Sequence, residues 1–287
     1  MSRRLSRRHL EESIFKVLML ISFGLIVAGL GFILVIILVK GVSSINLPML
    51  TQTPKGGYYL GKEGGILNAI VGSLYLAFGA TLLAVLAGIP LALFMKTYAG
   101  RSRWAGWVRL TMNMLWGIPS IVYGAFGFML MLAMGLRSSL LGGIITLALI
   151  ELPILTRAVD EVIQLMPDDL EQASYALGTT RLETAINVIS RQMLPGIVTA
   201  VLLAFGRGIG DAAAVLFTAG YTDRIPTSLL QPVGSLPLAV FFQLNTPYPE
   251  VQSRAYAAAL VLTVIVLITS LGARWLSRRL GHYVVKF

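Results

Sequence analysis

The stretch LLAFGRGIGDAAAVLF, residues 202–217, decides how the chain is read. It has the apolar content of a bilayer helix, yet it carries Arg207 and Asp211. A charge at the centre of a membrane helix costs about 2.5–3.5 kcal/mol on insertion scales, so such residues face a protein interior or a wet cavity. The first question is therefore whether the rest of the chain belongs in a membrane.

Composition answers it. Of 287 residues, 56% are apolar and 13% charged, against roughly 25% charged in soluble proteins. Several apolar runs are long enough to cross a bilayer. The net charge of +10 does not point to nucleic acid, because the basic residues cluster in short segments beside apolar runs. There they orient spans and meet anionic lipid headgroups. No cysteine is present, and His9 and His282 stand in basic tails at opposite ends, too few for a metal site. No cofactor is expected. The start, MSRRLSRRHLEESIF, imitates an export signal, but Glu11 and Glu12 interrupt it. The uncharged run 17–39 also exceeds a signal core of roughly 7–15 residues, so an uncleaved first span is expected.

Six spans are expected, at about 14–39, 66–95, 110–136, 139–157, 193–219 and 255–275, with Pro90, Pro119 and Pro153 inside them. Neighbouring helices can satisfy the carbonyls that a proline frees. Arg3, Arg4, Arg7 and Arg8 precede the first span. Lys96, Arg101, Arg103 and Arg109 flank the turn between the second and third, and Arg274, Arg278, Arg279 and Lys286 follow the sixth. The positive-inside rule puts these groups, and both termini, in the cytoplasm. The fold class is all-α and polytopic. Residues 1–13 form a basic cytoplasmic tail, 14–65 the first span and an external loop, 66–276 the main transmembrane domain, and 277–287 a second tail. GGYYLGKE, residues 56–63, imitates a phosphate-binding loop, but Glu63 follows the lysine where a hydroxyl is needed, and no strand precedes it. The segment 236–244, LPLAVFFQL, is too short to span and lies among prolines; it reads as an external gate or re-entrant helix.

The cytoplasmic loop 160–191 differs from the other basic ends. It holds Asp160, Glu161, Asp168, Asp169, Glu171 and Glu183 against Arg181 and Arg191. Pro167 and the acids after it suit a helix N-terminus. Gly178 suits a helix stop, and Thr180-Arg181-Leu182-Glu183 is a capping box that starts a second helix. The loop is thus an elbow of two short helices. From pattern alone it is a solvated hairpin or a docking element.

QASYALGTTRLETAINVISRQMLPG, residues 172–196, resembles the EAA loop of ABC importer permeases, with Gln172, Ala173, Ser174, Gly178 and Val188 at the matching positions and Glu171 beside them. GRGIGDAAAVLFTAG, residues 206–220, resembles the R-A-I-G-E-T-A-P-L-L-F-T-A signature of the phosphate-importing branch of that family, the PstA-type permeases, with Asp211 at the acidic position. The resemblance implies the MetI-like architecture of type I importers, set in a bacterial inner membrane. It implies a non-catalytic pore half paired with a second, PstC-like permease, cytoplasmic ATPase subunits docked on the elbow, and an external phosphate-binding protein. Phosphate and membrane lipids complete the partners.

Read for their own chemistry, Arg207 and Asp211 are four apart and would share one helix face and pair. Gly206, Gly208 and Gly210 would thin that helix. The arginine offers a planar fork of donors suited to an oxyanion. The alternative is an ion pair that only fixes the span against a neighbour. Glu151, in LALIELPILTR, is a second acid at membrane depth, able to pair with Arg207 or Arg157 or to serve the kink at Pro153. Arg207, Asp211 and Glu151 are the candidate pathway residues. Another oxyanion, sulfate or molybdate, is the competing cargo. A self-contained channel or secondary transporter is a different class, disfavoured by the elbow and by the apparent lack of paired broken helices. A membrane sensor scaffold is weaker still, since no signalling domain is visible.

Overall fold

The computed structural model describes residues 2–55, 63–100 and 102–280, with side chains from residue 11 onward. The glycine-rich 56–62 of the imitation phosphate loop, Arg101, His282, Lys286 and the side chains of His9 and the N-terminal arginines lie outside the described residues. Apart from one isolated bridge between Lys55 and Glu63, the described elements are helices. They are α1 Ser2–Ser44, α2 Leu47–Thr51, α3 Leu67–Phe94, α4 Arg103–Trp116, α5 Ser120–Ala133, α6 Leu140–Gln164, α7 Asp168–Ala176, α8 Arg181–Glu183, α9 Ser190–Gln192, α10 Leu194–Gly208, α11 Leu236–Leu244 and α12 Pro249–Leu280. Two π-helical turns, Met95–Ala99 and Thr184–Ile189, continue α3 and α8.

Four helical stretches are long and apolar enough to cross a membrane unaided: Glu11–Ser44, Leu67–Ala99, Leu140–Gln164 and Pro249–Leu280. They contain the expected first, second, fourth and sixth spans. The third and fifth are corrected. The third is two helices, α4 and α5, meeting at 96°. Its cytoplasmic end is tied to α6 by Arg109 and Asp160. The outer end of α5 lies where Met131 fills the space beside Gly142. The fifth does not run as a helix to 219. α10 stops at Gly208 after 15 residues, about 22 Å, short of a hydrocarbon core of roughly 30 Å. Residues 209–219 continue as turns and irregular chain. A further 75° bend separates Arg181–Gln192 from α10 at the cytoplasmic side.

α3 and α6 form the centre, through small residues that let helices approach. A Cβ on Gly79 would strike Ile144, and one on Gly88 would come within 2.8 Å of the Thr156 hydroxyl. One apolar core lies on the outer half around Leu76, Ile144, Leu147 and Val233. A second lies on the cytoplasmic half around Leu155, Val159, Ile163 and Ile189. α11 is capped by Ser235 and packs its Leu236 and Ala239 against Ala257 and Ala258 of α12. Its first turn is buried, while Phe241 and Leu244 are exposed. Its entry is fixed by the Leu236 N–H, which donates to Ser73 Oγ at 2.8 Å. Gly72 lies against the carbonyl of Gly234.

Gly72→Val therefore has no room, while Gly29→Val on the open flank of α1 meets nothing. The first should cost about 1–3 kcal/mol, lowering the melting midpoint in detergent. The second should leave it unchanged. Parallel thermal scans of the two variants check this.

Candidate functional site

The site forms where α10 ends. Arg207 is exposed on the last turn of α10. Because the helix stops one residue later, the i,i+4 geometry expected for Arg207 and Asp211 is lost, and no ion pair joins them among the described residues. The Asp211 carboxylate instead accepts the backbone N–H of Ala214 at 2.9 Å and caps the following turn. The pairing expected from the sequence is thus replaced by a free-standing guanidinium beside a capped turn. The three glycines divide. Gly206 faces Thr269 of α12, Gly208 faces the Glu151 carboxyl, and Gly210 is exposed.

Glu151 projects from α6 and is 1% exposed. Its Oε2 accepts a hydrogen bond from the Thr81 hydroxyl of α3 at 2.8 Å, and its Oε1 has no hydrogen-bond partner. It pairs with neither Arg207 nor Arg157; Arg157 bonds Glu161 four residues on, at 2.7 Å. A crevice of about 10 Å³, room for about one water, lies between Ser73, Gly208, Asp211 and Ser235. Glu151 thus joins α3, α6 and the end of α10 at one point.

The bend in the third span brings another element here. Gly124 of α5 lies against the turn segment, where a Cβ would come within 2.7 Å of the Ala213 carbonyl. α5 begins one turn earlier, at Ser120, and a helix N-terminus leaves its first N–H groups open. A half-helix N-terminus at membrane depth carries partial positive charge.

On the cytoplasmic side the expected elbow is present. α7 follows Pro167 and ends before Gly178, whose φ of 83° is the left-handed region that glycine favours. Thr180 and Glu183 form the capping box. Of the six elbow positions matched in the sequence, Gln172, Ala173 and Gly178 are exposed. Glu171 turns inward to accept from the Tyr175 hydroxyl at 2.9 Å. Ser174 is buried with Thr179 and Thr184 in a triangle of hydroxyls at 2.7–2.9 Å. Val188 is partly covered. Leu165, Leu177 and Leu182 are exposed around the tip, Leu177 to 85%. Burial pushes the Tyr175 phenol up, and the hydrogen bond to Glu171 adds to it.

Several functional contacts were missed by sequence reasoning. Asp160 falls at the head of the acidic loop expected from the sequence, but it is buried on α6 and takes a two-pronged grip from Arg109, at 2.8 and 3.1 Å, with Gln164 adding a third bond at 2.7 Å. The partners are 51 positions apart, so no local pattern links them. Lys96 bonds Asp168 at 3.1 Å and stands 3.7 Å from Glu171. The signal available was opposite charge on two segments expected on the same side of the membrane.

Several apolar helices, two of them bent pairs, together with the elbow describe a multi-pass membrane subunit. Residues 84–282 match the family described as binding-protein-dependent transport system inner membrane component, and the chain belongs to that family. The probable ABC transporter permease protein YqgI of Bacillus subtilis is 31% identical over 274 residues, which is 88% of this chain and 92% of the relative. The phosphate transport system permease protein PstA of Xylella fastidiosa is 35% identical over 242 residues, covering 84% and 83%. The MetNI methionine ABC transporter in an inward-facing conformation superposes with a TM-score of 0.62 at 17% identity, covering 75% of this chain and 95% of that one, a likeness of fold. These relatives are permease subunits rather than enzymes.

The capping box yields a pH test. The backbone N–H and the hydroxyl of Thr180 hold the exposed Glu183 carboxyl below its ordinary value. A carboxyl lowered by folding stabilises above its unfolded value, and the contribution is lost as pH falls through the folded one. In this cysteine-free chain a spin label on Leu182→Cys should become more mobile as pH drops below about 4. With Glu183→Ala added, the label should be mobile already at pH 7.

Proposed function

We propose that the chain is the permease subunit of an ATP-driven inorganic phosphate importer and forms half of its translocation pathway. The observation that carries this is Arg207, exposed and without a carboxylate partner among the described residues, at the end of a helix too short to cross a bilayer alone. Its planar donors are open to an oxyanion, and α5, whose Gly124 packs on Ala213 after the break, contributes the partial positive charge of its N-terminus. The names of the PstA relatives support phosphate as the cargo. Asp211 supports the turn that follows. It also places a negative charge near the route, which limits how tightly an anion binds. Glu151 holds the break in place from α6.

The exposed Leu177 and Leu182 around Gly178 support docking of a cytoplasmic ATPase subunit on the elbow, through Gln172, Ala173 and their neighbours. The inward placement of Glu171 and Ser174 leaves these two to shape the elbow rather than to touch the motor. A PstC-like second permease supplies the other wall of the pathway, and an external phosphate-binding protein delivers the anion to the outer side, where α11 sits. Lipid surrounds the exposed apolar flanks. ATP binding and hydrolysis in the partner then open the pathway alternately to each side, in an inner membrane. Two broken spans also occur in secondary transporters, and the absence of broken helices expected from the sequence does not hold. Membership of the binding-protein-dependent family and the elbow weigh against that class.

Arg207→Gln should lower phosphate uptake by about 10- to 100-fold, the loss of a charge-assisted hydrogen bond, while the variant still co-purifies with its partners. Unchanged uptake ends the assignment. Competition by sulfate and molybdate against labelled phosphate settles the cargo: phosphate should compete at far lower concentration.

A further inference from the structure

The elbow does not hang from the membrane domain by its chain ends alone. Lys96, on the π-helical turn that ends α3, bonds Asp168 in the first turn of α7 and approaches Glu171 one turn on. Two residues later, the Tyr98 ring faces the Arg181 guanidinium, 5.9 Å from ring centroid to carbon, at the start of α8. The tip of α3 therefore holds the elbow on both sides of its bend at Gly178. The elbow is itself braced. The triangle of Ser174, Thr179 and Thr184 ties α7 to the π-helical turn after α8, and the capping box fixes the start of α8. A braced elbow moves as one piece, so a push on it reaches whatever grips it.

What grips it leads to the site. α3 carries Thr81, fifteen residues and about 22 Å from Lys96, and Thr81 holds the Glu151 carboxyl that lies against Gly208 beside Arg207. The Lys96 side chain is only 15% exposed and that of Glu171 18%, so this cluster is screened less by salt than an open surface pair. We propose that Lys96 is the positioning residue that transmits motion of the elbow into α3 and so to the break at Gly208, making the second span a transmission rod between ATPase and pathway. This rests on the importer reading above and adds to it a named residue and a route.

The test uses the complete complex in vesicles, with phosphate uptake and ATP hydrolysis measured together. The wild type must import phosphate with hydrolysis; if it does not, the importer reading itself fails and this proposal with it. Lys96→Glu should assemble normally, hydrolyse ATP, and import about tenfold less phosphate per ATP. Adding Asp168→Lys, at a position 70% exposed, should restore the ratio, and Lys96→Arg should keep it. Lys96→Gln, which removes the charge and spares the stem, carries the test if the reversal disturbs assembly. A wild-type ratio in the charge-reversed or charge-free complex overturns the proposal, as does a loss that the exchanged pair does not repair.

Discussion

Everything in the molecule turns on how a backbone without a helix survives at membrane depth. Lipid offers no hydrogen bonds, so each N–H and C=O of residues 209–219 must be met by protein or by water in a cavity. The segment is partly enclosed, with Gly210 and Phe217 exposed. Its carbonyls face Gly124 of α5, and the Thr218 carbonyl accepts the N–H of Ser139 at the start of α6. The Val233 N–H reaches the Ala219 carbonyl. The close approaches need small residues on the neighbours, which is why Gly124, Gly127 and Gly143 sit where α5 and α6 face this turn. The bent third span belongs to the same solution, since α5 lies close against the broken fifth.

This enclosure sets the division of labour between buried charges. Asp160 on the cytoplasmic half has its charge answered by Arg109 and its remaining acceptor capacity by Gln164. A pair so satisfied fixes α4 against α6, and removing one partner would strand a buried charge. Glu151 is held differently, by one hydroxyl, with its second oxygen turned to Gly208. The two acids stand on one helix, one locking the bundle and the other meeting its break.

Much of this was legible in the sequence. Apolar runs read out four of the crossings as single helices, and Pro167, Gly178 and the Thr180–Glu183 box read out the elbow, because those signals are local. The broken spans were not legible, and one tripeptide shows why. Gly-Ile-Pro occurs at 88–90 and again at 117–119. The first stays inside α3, with Gly88 pressed against Thr156 of α6; the second ends α4, where Gly117 meets only carbonyls of its own last turn. Identical local text takes opposite shapes in different surroundings: another helix meets the first glycine, and only its own turn meets the second. Arg207 and Asp211 failed as a pair for a related reason. The spacing rule assumes a helix that continues, and three alternate glycines, each costing about 1 kcal/mol in a helix interior, let this one stop.

The first helix carries a different consequence. α1 spans 43 residues, about 65 Å, and meets the bundle near its outer end, where Gly41 crosses Leu260 and Lys40 reaches Tyr256. A bilayer with its headgroups is about 40–45 Å thick. An upright rod of that length overshoots the inner leaflet by several turns; a leaning one sweeps sideways like a boom fixed at its masthead. Either posture makes α1 an outrigger, whose length sets how far from the central bundle the chain extends.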